Sequence, residues 1–179
     1  MNPCRLLVVG ASGSGTTTLG RALATRWAVP HADADDYFWQ PTAPAYVEQR
    51  PVPDRLRLMA ELFLPRDAWV LSGSVMGWDG SLLEHLDAVV FCSLDQDVRL
   101  ERLRAREVVR YGSRIEAGGD RAEAFEEFLT WATGYEDPAF DGRNRAGHEE
   151  WLATLDVPVL RADTTRPVDE LVTELVAPV

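Results

Sequence analysis

Residues 5–18 read Arg5-Leu-Leu-Val-Val-Gly10-Ala-Ser-Gly13-Ser-Gly15-Thr16-Thr17-Thr18, and no other stretch restricts the possible folds as much. Residues 6–9 are an unbroken apolar run, which suits a short buried strand. Leu19, Leu23 and Trp27 then recur at helical spacing, so residues 16–27 are expected to be a helix. The chain must pass from strand to helix through a turn that holds three glycines. Glycine reaches backbone angles closed to other residues. Such a turn lets successive N–H groups curl around an anion at a helix N-terminus, where the helix dipole favours negative charge. A tight turn without a ligand is the alternative.

The spacing of this turn matches G-x-x-x-x-G-K-[ST] with one departure. Thr16 stands at the lysine position, and no other lysine can replace it, because all 18 basic residues are arginines. The candidate phosphate-binding residues are Gly10, Gly13, Ser14, Gly15, Thr16, Thr17 and Thr18. The Thr17 hydroxyl is placed to hold Mg²⁺. A dinucleotide fingerprint fits less well. Position 18 is threonine rather than the third glycine, and no clear acidic ribose ligand follows a second strand.

Apolar runs at 6–9, 29–33, 68–72, 88–94 and 157–162 alternate with helical segments near 16–27, 53–64, 95–111, 120–134, 144–155 and 168–176. This alternation predicts an α/β fold with a parallel sheet and helices on both faces. The length of 179 residues suits one domain. Residues 39–53 carry Pro41, Pro44, Pro51 and Pro53 and are expected to form a loop or excursion. Residues 112–120 read as a hinge between two helices. No run approaches the ~18 apolar residues that a membrane span needs. A start almost directly in a strand argues against a signal peptide. Cys4 and Cys92 lie in or beside apolar runs and read as buried thiols, so a cytoplasmic location is expected. The net charge of −11 speaks against a nucleic-acid binder.

After the second expected strand the chain reads His31-Ala-Asp33-Ala-Asp35-Asp36. Ligands of parallel sheets sit at the carboxyl ends of strands. Of Asp33 and Asp35, one carboxylate is a candidate to hold a Mg²⁺-bound water and the other to take the proton of a substrate hydroxyl. A helix N-cap is the alternative for this cluster. His31 reads as a structural partner rather than a base. Tyr37, Phe38, Trp39 and Tyr46 either line a substrate pocket or cover the sheet. Further on, Arg99, Arg102, Arg106, Arg110 and Arg114 are spaced 3, 4, 4 and 4 apart, which would put a row of guanidinium groups on one helix face. Glu101 and Glu107 can neutralise part of it, and a salt-bridged, solvated face is one reading. Phosphate contact by the row is the other, favoured by the cation that the loop lacks.

Together the glycine-rich turn, the Asp33-x-Asp35 step, the arginine-rich helix and the closing segment Arg161-Ala-Asp163-Thr-Thr-Arg-Pro167 resemble the small P-loop kinases. That group comprises the nucleoside and nucleotide kinases, the shikimate and gluconate kinases and the DNA topology modulation FlaR-like proteins. The resemblance covers most of the chain in order and spacing. It implies a five-stranded parallel core in the order 2-3-1-4-5, with ATP or GTP and Mg²⁺ on the loop. It also implies an acceptor held by the excursion at about 36–66, with Arg50, Arg55 and Arg57. In that pattern the Asp33-x-Asp35 step would serve metal and acceptor, Asp33 for the metal and Asp35 for the acceptor. An arginine-rich lid at about 99–120 would act through Arg102 and Arg106, with Arg110 a further candidate, and residues 162–167 would border the adenine. Two departures touch the transfer step: Thr16 at the lysine position, and Ser72 where the third strand carries no metal-binding aspartate. The leading expectation is an ATP-dependent phosphotransferase acting on a nucleoside, nucleotide, sugar or hydroxy acid, as a monomer or homodimer. A non-catalytic nucleotide-binding sensor is the second. An interaction protein that uses the arginine row on an acidic partner or nucleic acid is the third.

Overall fold

The computed structural model describes residues 1–177. β1 (Arg5–Gly10) leads into α1 (Thr16–Trp27), then β2 (His31–Asp33) and the short α2 (Ala34–Phe38). α3 (Val52–Leu62) precedes β3 (Trp69–Ser72), and a 3₁₀ segment (Gly80–His85) precedes β4 (Ala88–Ser93). α4 (Gln96–Tyr111), α5 (Ala122–Thr133) and α6 (Arg145–Ala153) follow, and β5 (Val159–Asp163) and α7 (Val168–Val176) close the chain. The five strands form one parallel sheet in the order β2-β3-β1-β4-β5, as the resemblance implied. β1 is the middle strand, with Leu6 beside Val70 on one flank and Ala88 on the other. No helix of the described residues is long and apolar enough to cross a membrane.

The chain gathers into two compact units. One comprises Met1–Gly10, Gly15–Cys92 and the chain from Leu155 onward. It contains the sheet. Leu6, Val8, Val70, Val90 and Cys92 are buried on one side with Leu19 and Leu23 of α1 and Leu171 and Leu175 of α7. Alternate residues Leu7, Val9, Leu71 and Val89 are equally buried, so β1, β3 and β4 have no solvent face. Trp69, also on that side, meets Phe63 edge-on at 5.1 Å. Both cysteines are free thiols, and burial pushes the Cys92 thiol up to about 12.

The other unit comprises Ala11–Ser14 and Ser93–Thr154. Its core is Leu100 and Leu103 of α4 with Leu129 and Ala132 of α5, backed by Phe125, Phe128 and Trp131. α4 and α7 form where the spacing predicts. The expected hinge instead begins as a 3₁₀ turn (Gly112–Ile115), and Arg114 is tied to Asp120 at 2.6 Å. Two elements were not expected. α2 is only five residues long, too short for a periodic signal, and the 3₁₀ segment at Gly80–His85 has no helical repeat.

Candidate functional site

The glycine-rich turn divides between the units: Gly10 and Gly15 onward belong to the sheet unit, Ala11–Ser14 to the helical one. Within its tip, Ser14 N donates to Ala11 O at 3.0 Å. Gly13 holds φ 84, and a Cβ there would lie 2.8 Å from Arg99 O and 2.9 Å from Leu103 Cγ. Only glycine fits on both counts. Gly15, at φ 86, is the N-cap of α1 and offers no side-chain acceptor to the first turn. The leading N–H groups of that helix are thus left for another acceptor.

In the sheet unit the start of α1 is held close to β3. Ser72 Oγ donates to Thr16 O at 3.2 Å and pairs with His31 Nε2 at 2.9 Å. Gly20 makes this possible, because a Cβ on it would collide with Ser72 Oγ. His31 is therefore a structural partner. Burial lowers its pKa, and the nearby Asp33 only partly opposes this. Neither Ser72 nor Gly20 carries a signal in the sequence, since the two meet only when the helix lies on the sheet.

Asp33 serves both readings of the acidic step. Its Oδ1 accepts from Asp35 N at 3.1 Å, which caps α2. Its Oδ2 accepts from the Thr17 hydroxyl at 2.9 Å. The two residues expected to share a metal are thus in direct contact, while Asp35 and Asp36 are exposed on the first turn of α2. Burial, and next the charge of Asp33, raises the pKa of Asp36.

Beyond α2, Arg50, Arg55 and Arg57 behave differently. Arg57 is exposed and pairs with Asp54 and Glu61. Arg55 is buried, with its guanidinium 3.9 Å over the Phe38 ring and 5.1 Å from the Trp78 ring. Its Nε donates to Arg50 O at 2.6 Å, and no carboxylate of the described residues pairs with it. Burial first, then Arg50, lowers its pKa. Arg50 itself reaches the Tyr37 carbonyl at 3.4 Å.

In the helical unit the arginine row is split. The inward stripe of α4 is Arg99, Leu100, Leu103 and Glu107, so Arg99 faces the core while Arg102, Arg106 and Arg110 are exposed. Arg106 Nε and Arg110 Nη1 pair with Glu107 at 2.9 and 3.2 Å. Arg106 also lies 5.8 Å from the Phe128 ring. Arg99 and Arg143 reach the loop tip, both through Ser12. Beside them Tyr135 and His148 form a buried pair, Oη to Nδ1 at 2.8 Å. Burial pushes Tyr135 up to about 12, while burial and the charges of Arg143 and Arg145 push His148 down to about 4. Arg143, Tyr135 and His148 escaped sequence reasoning because no fixed spacing links them to the loop.

The residues suit a phosphate and a hard cation. Uncapped N–H groups at α1 fit phosphate oxygens. A hydroxyl and a carboxylate in contact, Thr17 and Asp33, fit Mg²⁺, which prefers oxygen ligands and keeps several waters. Among the described residues no group of three His, Cys, Asp or Glu side chains is arranged to hold a metal.

Comparison with known proteins bears on the fold and the family. No family model matches. The uncharacterized protein YqaC of Bacillus subtilis (strain 168) is 42% identical over 165 residues, covering 92% of this chain and 91% of that protein. An adenylate kinase of Moorella thermoacetica is 30% identical over 130 residues, covering 59% of this chain and 60% of that protein. Among solved structures, a shikimate kinase from Acinetobacter baumannii in complex with shikimate superposes with TM-score 0.55 at 18% identity, covering 98% of this chain and 91% of that one.

Proposed function

From a chain that belongs to the family of Bacillus subtilis YqaC and carries the P-loop kinase fold, we propose an ATP-dependent phosphotransferase acting on a small acidic metabolite. The observation that carries this proposal is the Thr17–Asp33 contact at the foot of an uncapped helix. Loop N–H groups from Gly10, Gly13, Ser14, Gly15 and Thr16 to Thr18 would bind the phosphates, and Thr17 with Asp33 would hold Mg²⁺. When bound, nucleotide and metal supply the phosphoryl group and neutralise part of its charge. Asp35, exposed at the strand end, takes the proton of the acceptor hydroxyl. Arg102 and Arg106, exposed on α4, act as lid cations that meet phosphate on closure.

Arg55 suggests the acceptor's chemistry. It is a buried guanidinium over aromatic rings and has no carboxylate partner among the described residues. An acceptor bearing a carboxylate or phosphate would complete it. Free thiols and the lack of a membrane-crossing helix among the described residues are in keeping with a cytoplasmic enzyme.

A thermal-shift series with ATP, GTP and Mg²⁺, followed by ADP release with acidic and neutral acceptors, tests the proposal. A ligand at about 100 times its Kd adds about 2.7 kcal/mol to the folded state. For a chain of this size that raises Tm by about 5–10 °C. The shift should vanish in Gly15→Val, where a side chain would block the anion's path. If wild type and Gly15→Val respond alike, the loop does not bind nucleotide.

A second reading, a nucleotide-binding sensor without turnover, is favoured by Ser72. The strand end that would carry a metal-binding aspartate instead ties down His31 and the Thr16 carbonyl. Nucleotide binding without ADP release for any acceptor would select it.

A further inference from the structure

The loop lacks its lysine, yet two arginines converge on its tip. Ser12 O accepts from Arg99 Nη1 at 2.9 Å, and Ser12 Oγ accepts from Arg143 Nη2 at 2.9 Å. The donors lie 87 and 131 residues away in the sequence. Both contacts fall within the helical unit, to which Ala11–Ser14 belong.

Arg99 is the more unusual of the two. It is 1% exposed, and no carboxylate of the described residues forms an ion pair with it. Its Nη2 donates to Ala132 O at 3.4 Å, its Nε has no hydrogen-bond partner, and its guanidinium lies 5.1 Å from the Tyr135 ring. Elsewhere Arg5, Arg57, Arg106, Arg110, Arg114, Arg145 and Arg166 all pair with carboxylates. Acidic partners abound in a chain of net charge −11, so this exception is not for want of anions. Backbone carbonyls satisfy donors but carry no full countercharge, the charges of Glu136 and Asp95 offset only part of the burial, and a buried cation without a paired anion is costly. Burial accordingly lowers the pKa of Arg99.

Arg143 supplies the accessible half. It is partly buried, 5.2 Å from the Trp131 ring, and it precedes Asn144, whose side chain caps α6 through Gly147 N at 2.7 Å. A capped helix start and a stacked ring restrict this guanidinium to the loop tip. Its hydroxyl partner on Ser12 is weak enough to share with a phosphate oxygen, and a planar fork can hold both.

We infer that Arg143 contacts the phosphate bound at the loop tip and, with Arg99 as the positioning residue behind Ser12, supplies the fixed positive charge that the motif's lysine provides elsewhere. This rests on the reading of the loop as a nucleotide-phosphate site. It differs from a lid cation in being in place before any closure.

Calorimetric titration with ATP–Mg²⁺ over a range of salt concentrations tests it. Arg143→Gln should weaken ATP binding by about 10- to 100-fold, as loss of a charge-assisted contact does, and flatten its salt dependence. Arg143→Lys should keep part of the affinity. Arg99→Met should also lower affinity and salt dependence, with Arg99→Lys recovering part of each. Thr16→Lys in the Arg143→Gln background should restore about tenfold or more. A purely structural arginine would not be rescued by a lysine on another residue, nor would its loss alter the salt slope. Should Arg143→Gln fail to fold, Ser12→Ala keeps the charge but removes its anchor, and is expected to lose severalfold in affinity. Wild-type affinity in Arg143→Gln or in Ser12→Ala, or no rescue by Thr16→Lys, overturns the inference while ATP binding that Gly15→Val abolishes still upholds the loop. Absence of ATP binding by wild type overturns both.

Discussion

His148 makes the helical unit sensitive to acid in a way that can be calculated. It is fully buried, with Nδ1 2.8 Å from Tyr135 Oη. Burial lowers its pKa most, Arg143 and Arg145 lower it further, and Glu149 alone opposes them, leaving it near about 4 against an ordinary 6.5. Between those values the unfolded chain binds a proton that the folded chain does not. Stability therefore rises with pH through this window, is complete above about 6.5 and is lost as pH falls toward about 4. At about 1.4 kcal/mol per unit, going from pH 7.5 to pH 4.5 costs about 2–3 kcal/mol from this group alone. That is a large share of a typical total of about 5–15 kcal/mol. Urea unfolding followed by tryptophan fluorescence, with Trp131 and Trp151 as reporters in this unit, measures it at both pH values. His148→Phe removes the titration but leaves every carboxylate in place. Wild type should lose about 2–3 kcal/mol more than the variant on acidification. Equal losses would mean that this histidine is not held neutral by its surroundings.

Other expectations follow from the sheet unit. Gly20→Ala should destabilise the protein by about 1–3 kcal/mol through overpacking against Ser72, and adding Ser72→Ala should recover part of this; a neutral Gly20→Ala in urea unfolding would deny the close approach of α1 to β3. Asp35→Asn should cut turnover by ~100-fold or more with ATP binding retained, whereas Asp33→Asn should raise the Mg²⁺ concentration needed while keeping the cap of α2, since asparagine caps a helix as well as aspartate does. Unaltered steady-state kinetics in both would leave the acidic step as a capping device only. Arg55→Met, which retains apolar contact with Phe38 and Trp78, should raise KM for an acidic acceptor by tenfold or more and leave KM for ATP unchanged. Equal KM values for the acceptor would separate Arg55 from substrate binding.

Much of the sheet and of the loop could be read from the chain because their determinants are local. Residues 6–9 are apolar without a break, so a strand buried on both sides follows, and β1 is the middle strand. The glycines at 13 and 15 adopt left-handed angles, as a turn of that spacing requires. The Thr17–Asp33 contact was also within reach, since Asp33 ends β2 and Thr17 opens the helix after β1, both at the carboxyl edge of the parallel sheet. The arginine row was legible as a spacing but not as an orientation. Steps of three and four place side chains near one another; the core contacts of Leu100 and Leu103 decide which of them face inward. Arg99 shares their buried stripe, and Arg102 and Arg106 do not.

What the sequence alone determined is a glycine-rich turn between a buried strand and a helix, on a parallel α/β sheet, without lysine. Only the tertiary structure decided which charges stand near that turn. Arg143 is 131 residues from Ser12, and Gly20 is separated from Ser72 by α2, α3 and most of the sheet's first half. Backbone angles and hydrophobic period are set by neighbours a few residues apart, so composition and spacing record them. A long-range pairing of two guanidinium groups on one serine depends instead on how whole helices pack. No local pattern in the chain encodes that packing.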